Sequence, residues 1–570
     1  MQKDNSYIDK LVSRMTLDQK VGALMTLGFS GTVVRPHLHE YIQKYYCGGL
    51  RLSPRSRTFG SYLDPKTGKM VINVEDNKGY KKGINPPAVT APEYREILDG
   101  LQKLAMDRPL AIPLHFSFDQ EGGSGADFFF GGVNIFPKPM GIRATGDSKL
   151  AYEVALAVSR QCRATGFNWI HSPVLDVNVN PDNPGIGVRS YSDRLEDVIE
   201  YAEQACLGFK KGGLIATGKH FPGRGDSSVD PHYGVLTIDI DKDGLYSRDL
   251  LPYKNLIQKK LLPSIMIAHA VYPKIDEDVP ATVSRKIITG MCREYLGFEG
   301  VITTDSMTMG AISTRYKVEE ACAMALQAGA DLVLMKAENE LVPATFNAIK
   351  RYVEERKISE EDLNDKVYRV LSCKHEYGLF NYGSQWKENP ENVLKDKEII
   401  RLSSLVARKS VLIARDRKNL LPLSEEAKLL VIEQMNASIN NINWHPGKFF
   451  KNCLKYNKNA DYLEVDFTPD EFDKNNIREL AKSYDIIVVT NFYSREAKGN
   501  NEVVGELIAD KTKNIVVISN TPYKNTIPDD ADTVVLTFAT SPANMEITAG
   551  VIFGQIAPEG EWPLKYRIPD

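Results

Sequence analysis

Five apolar runs in this chain carry or lead into ionisable and amide side chains. IPLHFSF (112–118) leads into Asp119, Gln120 and Glu121, and FNWIHSPVLDV (167–177) exits toward Asp176, Asn178 and Asn180. LIATGKHF (214–221) carries Lys219 and His220, SIMIAHAV (264–271) carries His269, and GVITTD (300–305) ends on Asp305. One such group alone is ordinarily a satisfied structural side chain. Five converging on one rim make a site. Carboxylates, amides, a lysine and histidines suit the hydroxyls of a neutral polyhydroxylated ligand. Serine-elbow, phosphate-loop and HExxH motifs do not occur, which removes support for acyl and phosphoryl transfer. Cleaving a glycosidic bond needs one group to protonate the leaving oxygen and another to receive the oxocarbenium-like carbon. Asp305 can be the second. It would serve equally as the N-cap of a helix beginning at Ser306-Met307.

The densest segment is KHFPGRGDSSVDPHYG (219–234). Asp230 and His232 flank Pro231, which biases its predecessor toward extended backbone, where i and i+2 side chains point the same way. Asp230 can thus orient and support the imidazole of His232. A histidine with an ordinary value near 6.5 serves as acid and then base near neutral pH.

The elements that must position these residues alternate. Strand-like runs at 48–52, 112–118, 167–177, 214–221, 264–271, 300–305 and 330–335 are separated by amphipathic stretches, several ending in glycine. Repeated strand–helix–strand units imply parallel strands with helical crossovers. About seven units predict an α/β fold with a TIM-like (β/α)8-type barrel over 1–383, whose chemistry sits at the C-terminal strand ends. A polar stretch at 384–398 reads as a linker. Beyond it, runs at 429–434, 484–492, 514–520 and 533–539 predict a smaller sandwich-type α/β domain with an open sheet over 399–570. Residues 53–95 insert after the first run, with a hairpin expected in YLDPKTGKMVIN (62–73). The loop NFYSREAKGNNE (491–502) is the expected place for the second domain to approach the site.

Composition excludes other classes. The 570 residues carry 71 basic and 74 acidic side chains, a net charge of −3, with no basic or acidic block. That argues against a nucleic-acid or anionic-membrane partner. The seven cysteines are scattered, with no zinc or redox spacing, as in a reducing compartment. The N-terminus has no apolar signal region, so a cytoplasmic location is expected, or secretion if a signal has been removed.

With these motifs assembled, the chain resembles family 3 glycoside hydrolases of the β-N-acetylglucosaminidase branch. The resemblance rests on MTLDQKVGALM (15–25), FDQEGG (118–123), SPVLDVNVNPDNPGIGVRSYSD (172–193), KHFPGRGD (219–226) and TTDSMTMGAI (303–312). ARKSVLIARDRKNLLPL (407–423) and VIFGQIAPEGEWPL (551–564) carry it through the second domain. It implies a retaining mechanism with Asp305 as nucleophile and His232, paired with Asp230, as acid/base. It also implies Asp119, Arg189, Lys219 and His220 as sugar-binding residues. No metal or organic cofactor is implied, and the expected partner is a small oligosaccharide or glycoside, with the chain a monomer or homodimer.

The substrate implied is a terminal β-linked N-acetylglucosamine of chitin- or peptidoglycan-derived oligosaccharides. Transfer to phosphate, or β-glucosidase or β-xylosidase activity on the same scaffold, are the alternatives. A non-catalytic sugar-binding relative is a further one, which the intact Asp305, Asp230 and His232 argue against.

Three departures from the family pattern bear on substrate choice. Arg224 stands where a histidine is usual and is expected to contact the catalytic loop or an anionic ligand. Pro231 replaces a serine. SGADFFFGG (124–132) follows FDQEGG without the usual basic residue, so Phe128, with Phe129 and Phe130, can be an aromatic wall or core.

Overall fold

The computed structural model describes residues 6–54, 61–63, 70–72, 89–128, 132–228, 236–381, 388–435, 448–493 and 499–568. The expected pair Asp230 and His232, together with Pro231, Phe129, Phe130 and most of the 53–95 insertion, lies outside the described residues.

The strands in chain order are β1 (Met25–Ser30), β2 (Gly49–Ser53), β3 (Ser61–Leu63), β4 (Met70–Ile72), β5 (His115–Phe118), β6 (Trp169–Ile170), β7 (Ile215–Phe221) and β8 (Ser264–Ile267). They continue with β9 (Val301–Ser306), β10 (Leu332–Met335), β11 (Leu412–Asp416), β12 (Leu429–Met435), β13 (Asp461–Asp466), β14 (Ile486–Asn491), β15 (Asn514–Ser519) and β16 (Thr533–Leu536). A closed parallel barrel runs β1-β10-β9-β8-β7-β6-β5-β2. Its strands are covered inside and out, so they read as continuous apolar runs rather than alternating ones. Two pairs of polar side chains meet inside the barrel. Thr26 Oγ1 meets His115 Nε2 at 2.8 Å, and Trp169 Nε1 donates to Thr217 Oγ1 at 2.8 Å.

Seven of the eight barrel strands match the expected runs. The eighth, β1, follows the helix Leu17–Ala23 with one residue between them. Its apolar residues continue that helix's pattern without a break, so periodicity alone merges the two. β6 is short, but the contact with β7 continues past it, where the Ser172 and Pro173 carbonyls accept the Thr217 and Lys219 amides at 2.9 and 3.1 Å and Val174 bridges Lys219. The expected hairpin is present as β3 paired antiparallel with β4, Tyr62 opposite Val71.

The second sheet has the order β11-β16-β15-β14-β12-β13. Its pairs are parallel except β11 with β16. Apolar clusters cover both faces, as an open α/β/α layer requires. The edge strands β11 and β13 were not among the expected runs. β13 (DYLEVD) is largely solvated and polar, which blunts an edge but hides it from a hydrophobicity reading.

The second domain braces the barrel segment 178–194. Asn178 Nδ2 donates to Tyr523 Oη at 2.9 Å and Tyr493 Oη donates to the Pro184 carbonyl at 2.8 Å. The Lys565 and Tyr566 amides donate to Asp193. Gly141 permits close packing, since a Cβ there would lie 2.6 Å from Phe538 Cβ. No helix among the described residues is long and apolar enough to cross a membrane, and all seven cysteines are buried and unbridged.

Candidate active site

The site gathers at the C-terminal ends of the barrel strands. Lys219 and His220 both turn into it from β7, where the register with β8 shifts between Lys219 and Phe221. Lys219 Nζ lies 2.8 Å from Asp119 Oδ1 and 2.5 Å from Glu121 Oε1. Arg189, on the turn Gly187–Arg189, grips Glu121 with two donors, Nε at 2.7 Å and Nη2 at 2.8 Å. Its Nη1 donates to the Gly185 carbonyl at 2.6 Å. Arg51 of β2 completes the chain of charges. It hydrogen-bonds Asp119 Oδ2, and its Nη2 stands 2.8 Å from Asp127 Oδ2.

Electrostatics follow from that pairing. Burial opposes ionisation of Asp119, but Lys219 and then Arg51 hold its carboxyl well below the usual range. Glu121, also buried, is held below its ordinary value by Arg189 and then Lys219. Buried cations and acids in such number are tolerable only because each is directly paired.

Burial holds His171 and His220 toward the neutral form. Arg224 Nη2 donates to His220 Nε2 at 2.9 Å, with Arg189 Nη2 beyond it at 3.4 Å. The ring proton therefore sits on Nδ1 and points to Asp176 Oδ2 at 2.7 Å. Burial and then the Arg224 charge push the His220 value well down. Asp176, fully buried, is pushed up by burial against the pull of Arg224, whose amide also donates to it at 2.8 Å. The Arg224 loop can press so closely because of Gly225, where a Cβ would sit 1.7 Å from the Val177 carbonyl oxygen. His171 lies 3.8 Å from Asp119 Oδ1 and is pushed down to about 3, chiefly by burial.

Asp305, the penultimate residue of β9, is half-buried, with Oδ1 accepting the Ser306 amide at 2.7 Å. It caps no helix. The next helix begins at Gly310 with Met309 at its N-cap. Its charge acts on His171, His269 and Lys336, which sets it among them.

Of the expected residues, Asp119, Arg189, Lys219, His220 and Arg224 form one connected network. Arg224 reaches His220. His269 stands behind the site. It is buried, its Nε2 donates to the Ser306 carbonyl at 2.9 Å and its Nδ1 meets Thr282 Oγ1 at 2.6 Å, so it holds the chain just after Asp305. Phe128 falls on the core side of the two readings. It is 0% exposed, with its ring 5.3 Å from Phe167, and belongs to the core rather than to an aromatic wall.

Arg51, Asp127, His171 and Lys336 were missed by the sequence reading. Three of them were legible in principle, since Arg51 lies in GGLRL, His171 lies in FNWIHSPVLDV and Lys336 directly follows ADLVLM. Asp127 could not be read, because its position depends on how the 119–127 loop closes. Its amide donates to the Asp119 carbonyl at 2.8 Å while its Oδ2 accepts the Asp119 amide at 2.7 Å. Among the described residues no group of three His, Cys, Asp or Glu converges as a metal site.

Known proteins are similar to this chain in sequence and fold. Residues 16–373 match the glycosyl hydrolase family 3 N-terminal domain. The chain is 30% identical over 353 residues to β-hexosaminidase A of Pseudoalteromonas piscicida, spanning 58% of this chain and 58% of that protein. It is 30% identical over 304 residues to a β-hexosaminidase of Alkalilimnicola ehrlichii, covering 52% of this chain and 81% of that one. Among solved structures, a family 3 β-N-acetylglucosaminidase from Paenibacillus sp. superposes with a TM-score of 0.84 at 28% identity, covering 98% of this chain and 100% of that one. A family model covering well over half of the chain, on a barrel whose strand ends carry these residues, shows that the chain belongs to glycosyl hydrolase family 3.

Proposed function

We propose that the protein is a retaining exo-β-N-acetylhexosaminidase releasing terminal β-linked N-acetylglucosamine from chitin- or peptidoglycan-derived oligosaccharides. The observation that carries this reading is Asp305 at the end of β9, beside the paired network Asp119–Lys219–Glu121–Arg189. Such a network offers fixed donors and acceptors to the hydroxyls of one terminal sugar, which favours exo action. The relatives named β-hexosaminidase support an N-acetylated glycon.

In this mechanism an Asp305 oxygen attacks the anomeric carbon while His232 gives its proton to the leaving glycosidic oxygen. The bond to the aglycone breaks and a glycosyl ester forms. His232, now neutral, takes a proton from water as that oxygen attacks the anomeric carbon and the bond to the Asp305 oxygen breaks, releasing the sugar and restoring the Asp305 carboxylate. Asp230 steadies the imidazolium before the first step and after the second.

An aryl N-acetyl-β-glucosaminide tests the assignment. Asp305→Ala is expected to lower kcat by roughly four orders of magnitude, and retained turnover would overturn the nucleophile. His232→Ala is expected to lose far less on a dinitrophenyl than on a methylumbelliferyl leaving group; equal losses would count against the acid. Running each assay with and without phosphate reads whether water or phosphate accepts the sugar.

A further inference from the structure

Lys336 directly follows β10, and its root is fixed, because a Cβ on Gly28 of β1 would lie 2.7 Å from the Lys336 carbonyl oxygen. Its side chain is exposed to solvent. The other cations of the pocket each stand against an acceptor. Arg51 has Asp119 and Asp127, Lys219 has Asp119 and Glu121, Arg189 has Glu121, and Arg224 has His220. Lys336 makes no hydrogen bond or ion pair with any described residue. After the crowding of the pocket, the charge that weighs most on it is another cation, Arg51, ahead of Asp119, Asp127 and Asp305. Both crowding and Arg51 hold its ammonium below the usual lysine value.

The pocket's charges then cancel in a telling order. Arg51, Lys219 and Arg189 offset Asp119, Asp127 and Glu121, and Arg224 offsets Asp176 around a neutral His220. Lys336 has Asp305 nearby without direct contact, and the other carboxylates that act on it, Asp119 and Asp127, are already paired with Arg51. Once Asp305 carries a sugar as an ester, Lys336 loses that one unpaired counter-charge. Two neighbouring cations disfavour each other, and an anion between them removes that penalty. A charge-assisted bond to an oxyanion is also about twice as strong as a neutral one.

We propose that Lys336, backed by Arg51, forms a binding site for an oxyanion on the ligand, the phosphate or carboxylate of a charged amino sugar. The ester step in this reasoning rests on the hydrolase reading above.

Calorimetry on the full chain tests it with N-acetylglucosamine, its 6-phosphate, N-acetylmuramic acid and inorganic phosphate as probes. An anionic sugar is expected to bind about tenfold tighter than the neutral one at low salt, less so at high salt. That preference is expected to fall below about twofold in Lys336→Met and to persist in Lys336→Arg. Lys336→Gln is measured beside the methionine variant, so one misfolded protein does not void the result. Phosphate binding that needs Lys336, without a preference among sugars, would support the oxyanion site and assign it to a free anion. Neutral sugar binding as tightly as every anionic probe, or a preference surviving in Lys336→Met and Lys336→Gln, would overturn it. Binding needs no turnover, so a failed N-acetylglucosaminide assay would sink the proposed function and leave this measurement standing. Glucose and glucose 6-phosphate repeat the comparison without the N-acetyl group.

Discussion

Glu121→Gln isolates the charge that joins the two halves of the pocket network. The carboxylate is 4% exposed and takes both Arg189 donors, at 2.7 and 2.8 Å, and Lys219 at 2.5 Å. Removing one partner of a buried ion pair costs about 3–5 kcal/mol, because the remaining charge stays desolvated. Lys219 keeps Asp119 at 2.8 Å, Arg189 keeps the Gly185 carbonyl at 2.6 Å, and glutamine retains one acceptor oxygen. The expected loss is therefore near the low end, about 3 kcal/mol, a large part of a typical stability of roughly 5–15 kcal/mol.

Urea unfolding followed by circular dichroism and tryptophan fluorescence measures it. Adding Arg189→Met to Glu121→Gln removes the stranded cation, so the double variant should lose less than the sum of the singles by roughly 1–3 kcal/mol. The pH dependence has a definite sign. The folded value of Glu121 lies below its ordinary 4.5, so its stabilisation is full above that pH and is lost as pH falls through the folded value. The gap between wild type and variant should thus hold at neutral pH and narrow below about 4.5. A loss under about 1 kcal/mol, additive with Arg189→Met and indifferent to pH, would refute the account.

Further expectations concern His220 and the second domain. Arg224→Met should raise the titration midpoint of His220, read by NMR of the imidazole, because Arg224 is the largest charge depressing it; an unmoved midpoint would contradict the assigned hydrogen bond. Glu433 is buried under β12, and burial pushes it up to about 7 although the Phe449 and Phe450 amides donate to its oxygens at 3.1 Å each. Its raised value makes a contribution that is full below the ordinary 4.5 and lost as pH rises through about 7. Wild-type stability should fall by about 2–3 kcal/mol across that window, and Glu433→Gln should flatten the slope. A slope that persists in the variant would assign it to another group.

Much of this protein was legible in its sequence. Parallel strands buried on both faces must be nearly continuous apolar runs, so seven barrel strands, four strands of the second sheet and the strand-end chemistry could be read directly. Asp119, Lys219, His220 and Asp305 each sit at such an exit. What escaped shares one cause. β1 is continuous in hydrophobicity with the helix before it, β13 is a polar edge, and Phe128 looks the same as core or as wall.

Only the tertiary structure decided the pairing. Arg51 meets Asp119 and Asp127 across 68 and 76 positions of sequence, as a closed barrel brings distant strand ends together. Those contacts turn isolated charges into a paired network, hold His171 and His220 toward the neutral form by burial, and single out Lys336. Sequence specifies which groups exist and which strand each ends; burial and distance, which set every ionisation state, exist only after the barrel closes.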